Sequence, residues 1–218
     1  MHTMVAGREP LAARRSYNRR MSPSHRVLAP ADYRRMPWKN GGGHTLEIAV
    51  DPPGADLAHF VWRVSIAAIE RDGPFSSFPG VDRTLVLLAG SGMRLSGDGS
   101  TVELRTAYEP VTFAGEAALD CALADGPTRD FNFMVRRALA SGSMRVVRDE
   151  ACALPPASAY VCYAATGTCE SLLSGLPPIE VAAEHTLVVT SDSPMHGLHV
   201  NPTSPQSVAV VAVIGNVQ

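Results

Sequence analysis

"RTLVLLAGSGMRLSG" spans residues 83–97: an apolar run rich in Leu and Val, a Gly-Ser-Gly turn, then a second run in which Leu95 alternates with Arg94 and Ser96. Short apolar runs bounded by glycine have the length of strands, not of helices. Residues 159–171, "AYVCYAATGTCES", repeat the plan: an apolar strand, a glycine-containing turn, a second strand. Glycine and proline punctuate the whole chain in this way, which is the pattern of an all-β barrel or sandwich. Candidate strands fall at 44–50, 60–70, 83–89, 92–96, 100–106, 119–123 and 130–136, and again at 144–148, 159–165, 169–173, 185–190 and 207–214. The two sets divide near residue 140, each about the size of one small barrel. The expected architecture is a duplicated β-barrel, with a single larger sandwich as the alternative. Short helices are expected at 29–35, where Pro30 precedes Ala31–Arg35 in a helix-start pattern, and at 136–141.

The chain has 218 residues, 45% of them hydrophobic and 18% charged, with a formal net charge of −2. That composition supports a packed core and one large or two small domains. No apolar run reaches the length of a membrane-spanning helix, so no membrane partner is expected. The near-neutral balance argues against a nucleic-acid partner. Charge is unevenly placed, however: residues 1–37 hold eight arginines against Glu9 and Asp32. Residues 1–24 are read as a disordered basic extension, 25–140 as the first barrel with the candidate pocket, and 141–218 as the second barrel. Cys121, Cys152, Cys162 and Cys169 form no CxxC pair, which fits reduced thiols in a cytoplasmic protein.

Alternation assigns faces to strands. In "HFVWRVSIAAIE" (59–70), Phe60, Trp62, Val64 and Ile66 share one face, and Arg63, Ser65 and Ala67 the other. In "RDFNFMVRR" (129–137), Phe131, Phe133 and Val135 oppose Asp130, Asn132, Met134 and Arg136. In "HTLEIAV" (44–50), Thr45 and Glu47 alternate with Leu46 and Ile48. Three strands therefore each offer polar groups on one face. One such strand alone would be a solvated outer face; in a small barrel, converging polar faces among apolar ones describe a ligand site. "PWKNGGGHTLEI" (37–48) carries Lys39, the single lysine beside eighteen arginines. It stands between Trp38 and Asn40 at the entrance to a strand, as a point charge for an anion or as a brace of the barrel mouth. The three glycines that follow allow close backbone approach to a ligand or to another strand. Arg94 is placed outside the site. The seven histidines include one close pair, His196 and His199, which would fall on opposite faces of a strand. With no His-x-His and carboxylate near 83–97, no metal and no other cofactor are expected. No nucleophile elbow is present and no catalytic residue is assigned.

The stretches "MPWKNGGGHTLEI", "WRVSIAAIERDGPFSSFPGVDRTLVLLAGSGMRL" and "DGPTRDFNFMVRR", in that order over residues 36–137, resemble the HutD/Ves family. The resemblance implies a bicupin, a duplicated jelly-roll (double-stranded β-helix) of the cupin superfamily whose motif region lacks the metal-binding histidines. It implies a bacterial protein that binds a small anionic metabolite, of the urocanate or N-formylglutamate class, and limits induction of histidine utilisation. The Ves branch is instead linked to cold or stress responses. The expected ligand-binding residues are Trp38, Lys39, Asn40, Thr45, Glu47, Arg63, Ser65, Asn132 and Met134, with a homodimer as the expected assembly. Two other readings remain open. One is a metal-independent enzyme acting on a small carboxylic acid, with Glu47 as general base and Arg63 holding the carboxylate. The other is a structural protein whose barrel is merely filled.

Overall fold

The computed structural model describes residues 23–217, so most of the basic extension lies outside the described residues. Strands β1 (Ser24–Leu28), β2 (Arg34–Pro37), β3 (Gly43–Asp51), β4 (Trp62–Ile69), β5 (Gly73–Phe75), β6 (Val81–Ala89), β7 (Met93–Gly97), β8 (Ser100–Leu104), β9 (Pro110–Ala114), β10 (Leu119–Leu123) and β11 (Thr128–Arg136) make up the first part of the chain. They are followed by β12 (Ala140–Val147), β13 (Cys152–Ala153), β14 (Ala157–Thr166), β15 (Cys169–Leu172), β16 (Ile179–Val181), β17 (Thr186–Met195), β18 (His199–Pro202) and β19 (Val208–Asn216). The fold is an antiparallel, duplicated jelly-roll. A six-stranded sheet (β2-β3-β4-β11-β6-β9) faces a four-stranded one (β5-β10-β7-β8) in the first barrel. A five-stranded sheet (β1-β17-β14-β19-β12) faces β13-β18-β15-β16 in the second.

The two strand-turn-strand stretches play equivalent parts. β6 to β7 and β14 to β15 each carry the chain from the large sheet of a barrel to its small one. The first of these turns needs its glycines: Gly90 and Gly92 have φ of 92° and 90°. A Cβ at Gly92 would also overlap the Leu104 carbonyl.

Three expectations change. The only helical element among the described residues is one 3-10 turn at Pro30–Asp32, where the Asp32 carboxylate accepts a hydrogen bond from the Ala29 N–H at 2.8 Å. Residues 136–141 are not helical. Arg136 ends β11, residues 137–139 form a turn in which the Leu139 N–H donates to the Arg136 carbonyl at 2.9 Å, and Ala140 begins β12. Sequence order placed 25–140 in one barrel, but β1 pairs with β17, so residues 24–28 complete the large sheet of the second barrel.

The outer faces of the two large sheets pack on each other. Trp62, Val64, Ile66, Phe131 and Phe133 meet Val161, Tyr163, Val188, Val210 and Ile214. The Phe131 and Tyr163 rings stack at 5.6 Å between centroids. This packing explains the opposite faces of β4 and β11. With their apolar sides sealed by the other barrel, their polar sides point into the first barrel. Phe60 departs from the alternation because β4 begins only at Trp62; it packs with Val81 and Met134 at one end of the barrel.

Candidate functional site: an anion cavity in the first barrel

The interior of the first barrel is a grid set by register. Glu47 lies opposite Ser65, and Ser65 opposite Asn132. One step along, Arg63 lies opposite Met134, and Met134 opposite Arg83. A bulge in β3 keeps Glu47 inside: Glu47 pairs with Ser65 and Ala49 with Val64, leaving Ile48 as the extra residue. Such a bulge re-aims side chains without ending the strand.

These strands enclose a cavity of about 600 Å³, within the range of small-molecule sites. Seven of the nine residues expected from sequence line it: Trp38, Lys39, Asn40, Thr45, Arg63, Asn132 and Met134. The other two, Glu47 and Ser65, stand behind Arg63. Arg63 Nε donates to Glu47 Oε2 at 2.6 Å and Nη1 to Ser65 Oγ at 3.3 Å, which leaves Nη2 without a protein acceptor. The other Glu47 oxygen meets Arg34 Nη2 at 3.0 Å. With each oxygen on a guanidinium, Glu47 is a brace for Arg63 rather than a free proton acceptor. Arg63 thus offers a ligand less of its fork than the sequence alone suggested, because part of it is spent internally.

At the mouth, Trp38 Nε1 donates to Thr45 Oγ1 at 2.9 Å and fixes the indole as a wall. Asn40 Oδ1 accepts from the Gly42 N–H at 3.0 Å, so its side chain shapes the turn that presents the exposed Lys39. Gly43 approaches another strand and not a ligand: a Cβ there would overlap the Ala68 carbonyl of β4.

The largest addition is Arg83, 4% exposed, whose guanidinium lies 4.2 Å from the Phe75 ring and 5.3 Å from that of Phe78. Its Nη1 donates to the Ser76 carbonyl at 3.0 Å, and its Nε has no protein acceptor. Burial pulls this group down to about 10, still a cation at neutral pH. Arg83 sits among Asp82 and Thr84 at a strand end, where alternation gives no signal; only its register against Met134 puts it inside. Arg136, placed on the inner face by alternation, is instead tied at the rim to the carbonyls of Ala58 and Phe60. Arg94 pairs with Glu103 at 2.7 Å on the outside. Among the described residues, no three His, Cys, Asp or Glu side chains group as a metal site. None of the described helices is long and apolar enough to cross a membrane.

A HutD family model matches residues 30–208. An uncharacterized 21.2 kDa protein from the hutC 3′ region of Pseudomonas putida is 46% identical over 108 residues, 50% of this chain and 56% of that protein. Protein Ves of Citrobacter koseri is 40% identical over 119 residues, 53% of this chain and 61% of Ves. The chain therefore spans less than two thirds of the length of these curated relatives. Among solved structures, a conserved protein of unknown function from Pseudomonas aeruginosa superposes with a TM-score of 0.81 at 32% identity, covering 88% of this chain and all (100%) of that one. HutD of Pseudomonas fluorescens gives 0.76 at 29%, covering 89% of this chain and 100% of its own. The oxalate decarboxylase of Lactobacillus farciminis, at 8% identity and a TM-score of 0.60, covers 87% of this chain and 86% of its own and shares the fold alone. By its family match, its duplicated barrel and its relatives, the chain belongs to the HutD family.

Proposed function

We propose that this protein binds a small anionic metabolite, of the urocanate or N-formylglutamate class, in the first barrel and thereby modulates histidine utilisation in the cytoplasm. The observation that carries the reading is the pair of buried arginines facing one cavity, with Arg63 Nη2 and Arg83 Nε lacking protein acceptors. Charge-assisted hydrogen bonds to a carboxylate would satisfy both. Lys39 at the mouth adds a point charge, and Trp38, Phe75 and Phe78 supply apolar walls for a planar body. The pathway rests on the hutC-region relative and on HutD of P. fluorescens, a structure described for a formate condition. The described cysteines are free thiols, as a reducing compartment requires. A homodimer is the proposed assembly.

Calorimetry with urocanate and with N-formylglutamate tests the reading. Removing one partner of a buried, hydrogen-bonded charge pair costs roughly 2–5 kcal/mol. Arg63→Ala should therefore abolish measurable binding, and Arg63→Lys should restore part of it, because an ammonium lacks the planar fork. Arg94→Ala should bind as the native protein does. Normal binding by Arg63→Ala, or equal losses in Arg94→Ala, would place the site elsewhere.

A further inference from the structure

Asp130 lies beside this cavity, two residues before Asn132 on the inner face of β11. It is fully buried, opposite Ala67 of β4 and Leu87 of β6. Neither carboxylate oxygen has a hydrogen-bond donor in the protein. A buried, ionised carboxylate without donors is strongly disfavoured. The charged or titratable groups that act on it from the packed elements are Arg83 on β6 and Cys121 on β10. Cys121 is a neutral thiol, its Sγ hydrogen-bonded to Met93 Sδ at 3.5 Å and burial pushing it up to about 11. β4 presents only Ala67 at this level, and β3 presents Thr45. Arg83 in turn feels Arg63, whose charge is already balanced by Glu47.

The interior charges can therefore be counted. Arg63 and Glu47 cancel, which leaves Arg83 and Asp130. With Asp130 ionised, the interior is neutral. With Asp130 protonated, it carries one positive charge. An incoming carboxylate brings a second negative charge into the interior that already holds Asp130, and the single unbalanced guanidinium, Arg83, cannot offset both. From this geometry we infer that the first barrel takes up one carboxylate together with one proton, because the ligand's charge and that of the buried Asp130 exclude each other in one desolvated interior. The proton comes from solvent and bonds to a carboxylate oxygen of Asp130; no bond of the ligand breaks. The buried part of the site thus takes a single carboxylate, and a second negative charge on the ligand would have to remain at the mouth beside Lys39. Burial pushes the Asp130 carboxyl up to about 7, with Arg83 pulling it back, so the proton exchanges at neutral pH. The inference rests on the anion-binding reading above and adds its charge class and its pH dependence.

Two measurements test it on the full chain. Carbon NMR of aspartate-labelled protein should show the Asp130 carboxyl titrating near neutrality without ligand, and at higher pH with saturating urocanate. Calorimetry with urocanate in buffers of different ionisation enthalpy, between pH 7 and pH 9, should show uptake approaching one proton. Affinity should fall by about tenfold per pH unit across that range. Asp130→Asn should bind with neither proton uptake nor that slope, and the difference between the two proteins removes the ligand's own titration. An Asp130 midpoint near that of a free carboxyl, or binding with equal pH dependence in both proteins, overturns the coupling and leaves the anion site standing. Absence of binding by urocanate and N-formylglutamate alike overturns both.

Discussion

At the residue scale, Glu47 and Arg63 are one unit. The carboxylate is 8% exposed and its partner 4%, so removing Glu47 leaves Arg63 as an uncompensated buried charge. Glu47→Ala should cost on the order of 3–5 kcal/mol in urea unfolding. Arg34→Ala should change stability by about 1 kcal/mol or less, because that guanidinium is 62% exposed. Asp130 makes a pH prediction with a definite sign. Its pKa rises from 3.8 in the unfolded chain to about 7 in the fold. Between those values the folded state holds a proton that the unfolded state has released, so stability falls as pH rises from about 4 to about 7 and then levels off. Asp130→Asn removes this dependence, and its stability relative to the native protein should be more favourable at pH 8 than at pH 5. The gain has an upper limit on the order of 4 kcal/mol. Thermal melts at the two pH values check it; a constant difference would show that Asp130 is ionised throughout. Arg63, Ser65 and Asn132 were legible from sequence because each stands between large apolar neighbours in a period of two. Arg83 was not, because polar residues flank it on both sides. Phe75 and Phe78 lie in or beside a three-residue strand too short to show a period.

At the scale of elements, β11 and β14 hold the barrels together through the Phe131–Tyr163 stack. Phe131→Ala should cost roughly 3–5 kcal/mol in chemical denaturation, since the ring is fully buried and neighbours from two rigid sheets cannot close the gap. Strand β1 separates two truncations. A chain starting at Pro23 keeps the pairing of Ser24–Leu28 with β17, and it should melt within a few degrees of the full chain. A chain starting at Pro30 leaves one edge of β17 unpaired and should melt clearly lower. Equal melting of the two would mean that β1 adds little to the second barrel. β1 was invisible in the sequence because four of its five residues are exposed and it carries no alternation. The helix expected at 136–141 failed because both ends of that span belong to strands: Arg136 pairs with Val81 of β6, and Ala140 and Ser141 pair with β19, which leaves three residues for a turn.

At the scale of the molecule, ligand binding should register as stability. A ligand at about 100 times its Kd adds roughly 2.7 kcal/mol. For a chain of this size that is a rise in Tm of about 5 °C or more, and Arg63→Ala should not show it. Differential scanning fluorimetry with urocanate measures both, and equal shifts in the two proteins would point to nonspecific binding. By itself the sequence determined the all-β class, the duplication and the polar faces of three strands. Those are encoded in spacing between neighbours along one chain: a period of two, glycine at forced turns, apolar runs of strand length. Only the tertiary structure decided which barrel β1 joins, how much of Arg63 is left for a ligand, and that Arg83 and Asp130 are both buried in the first barrel. These depend on register between strands far apart in sequence and on desolvation by the opposing sheet, and no local pattern records either.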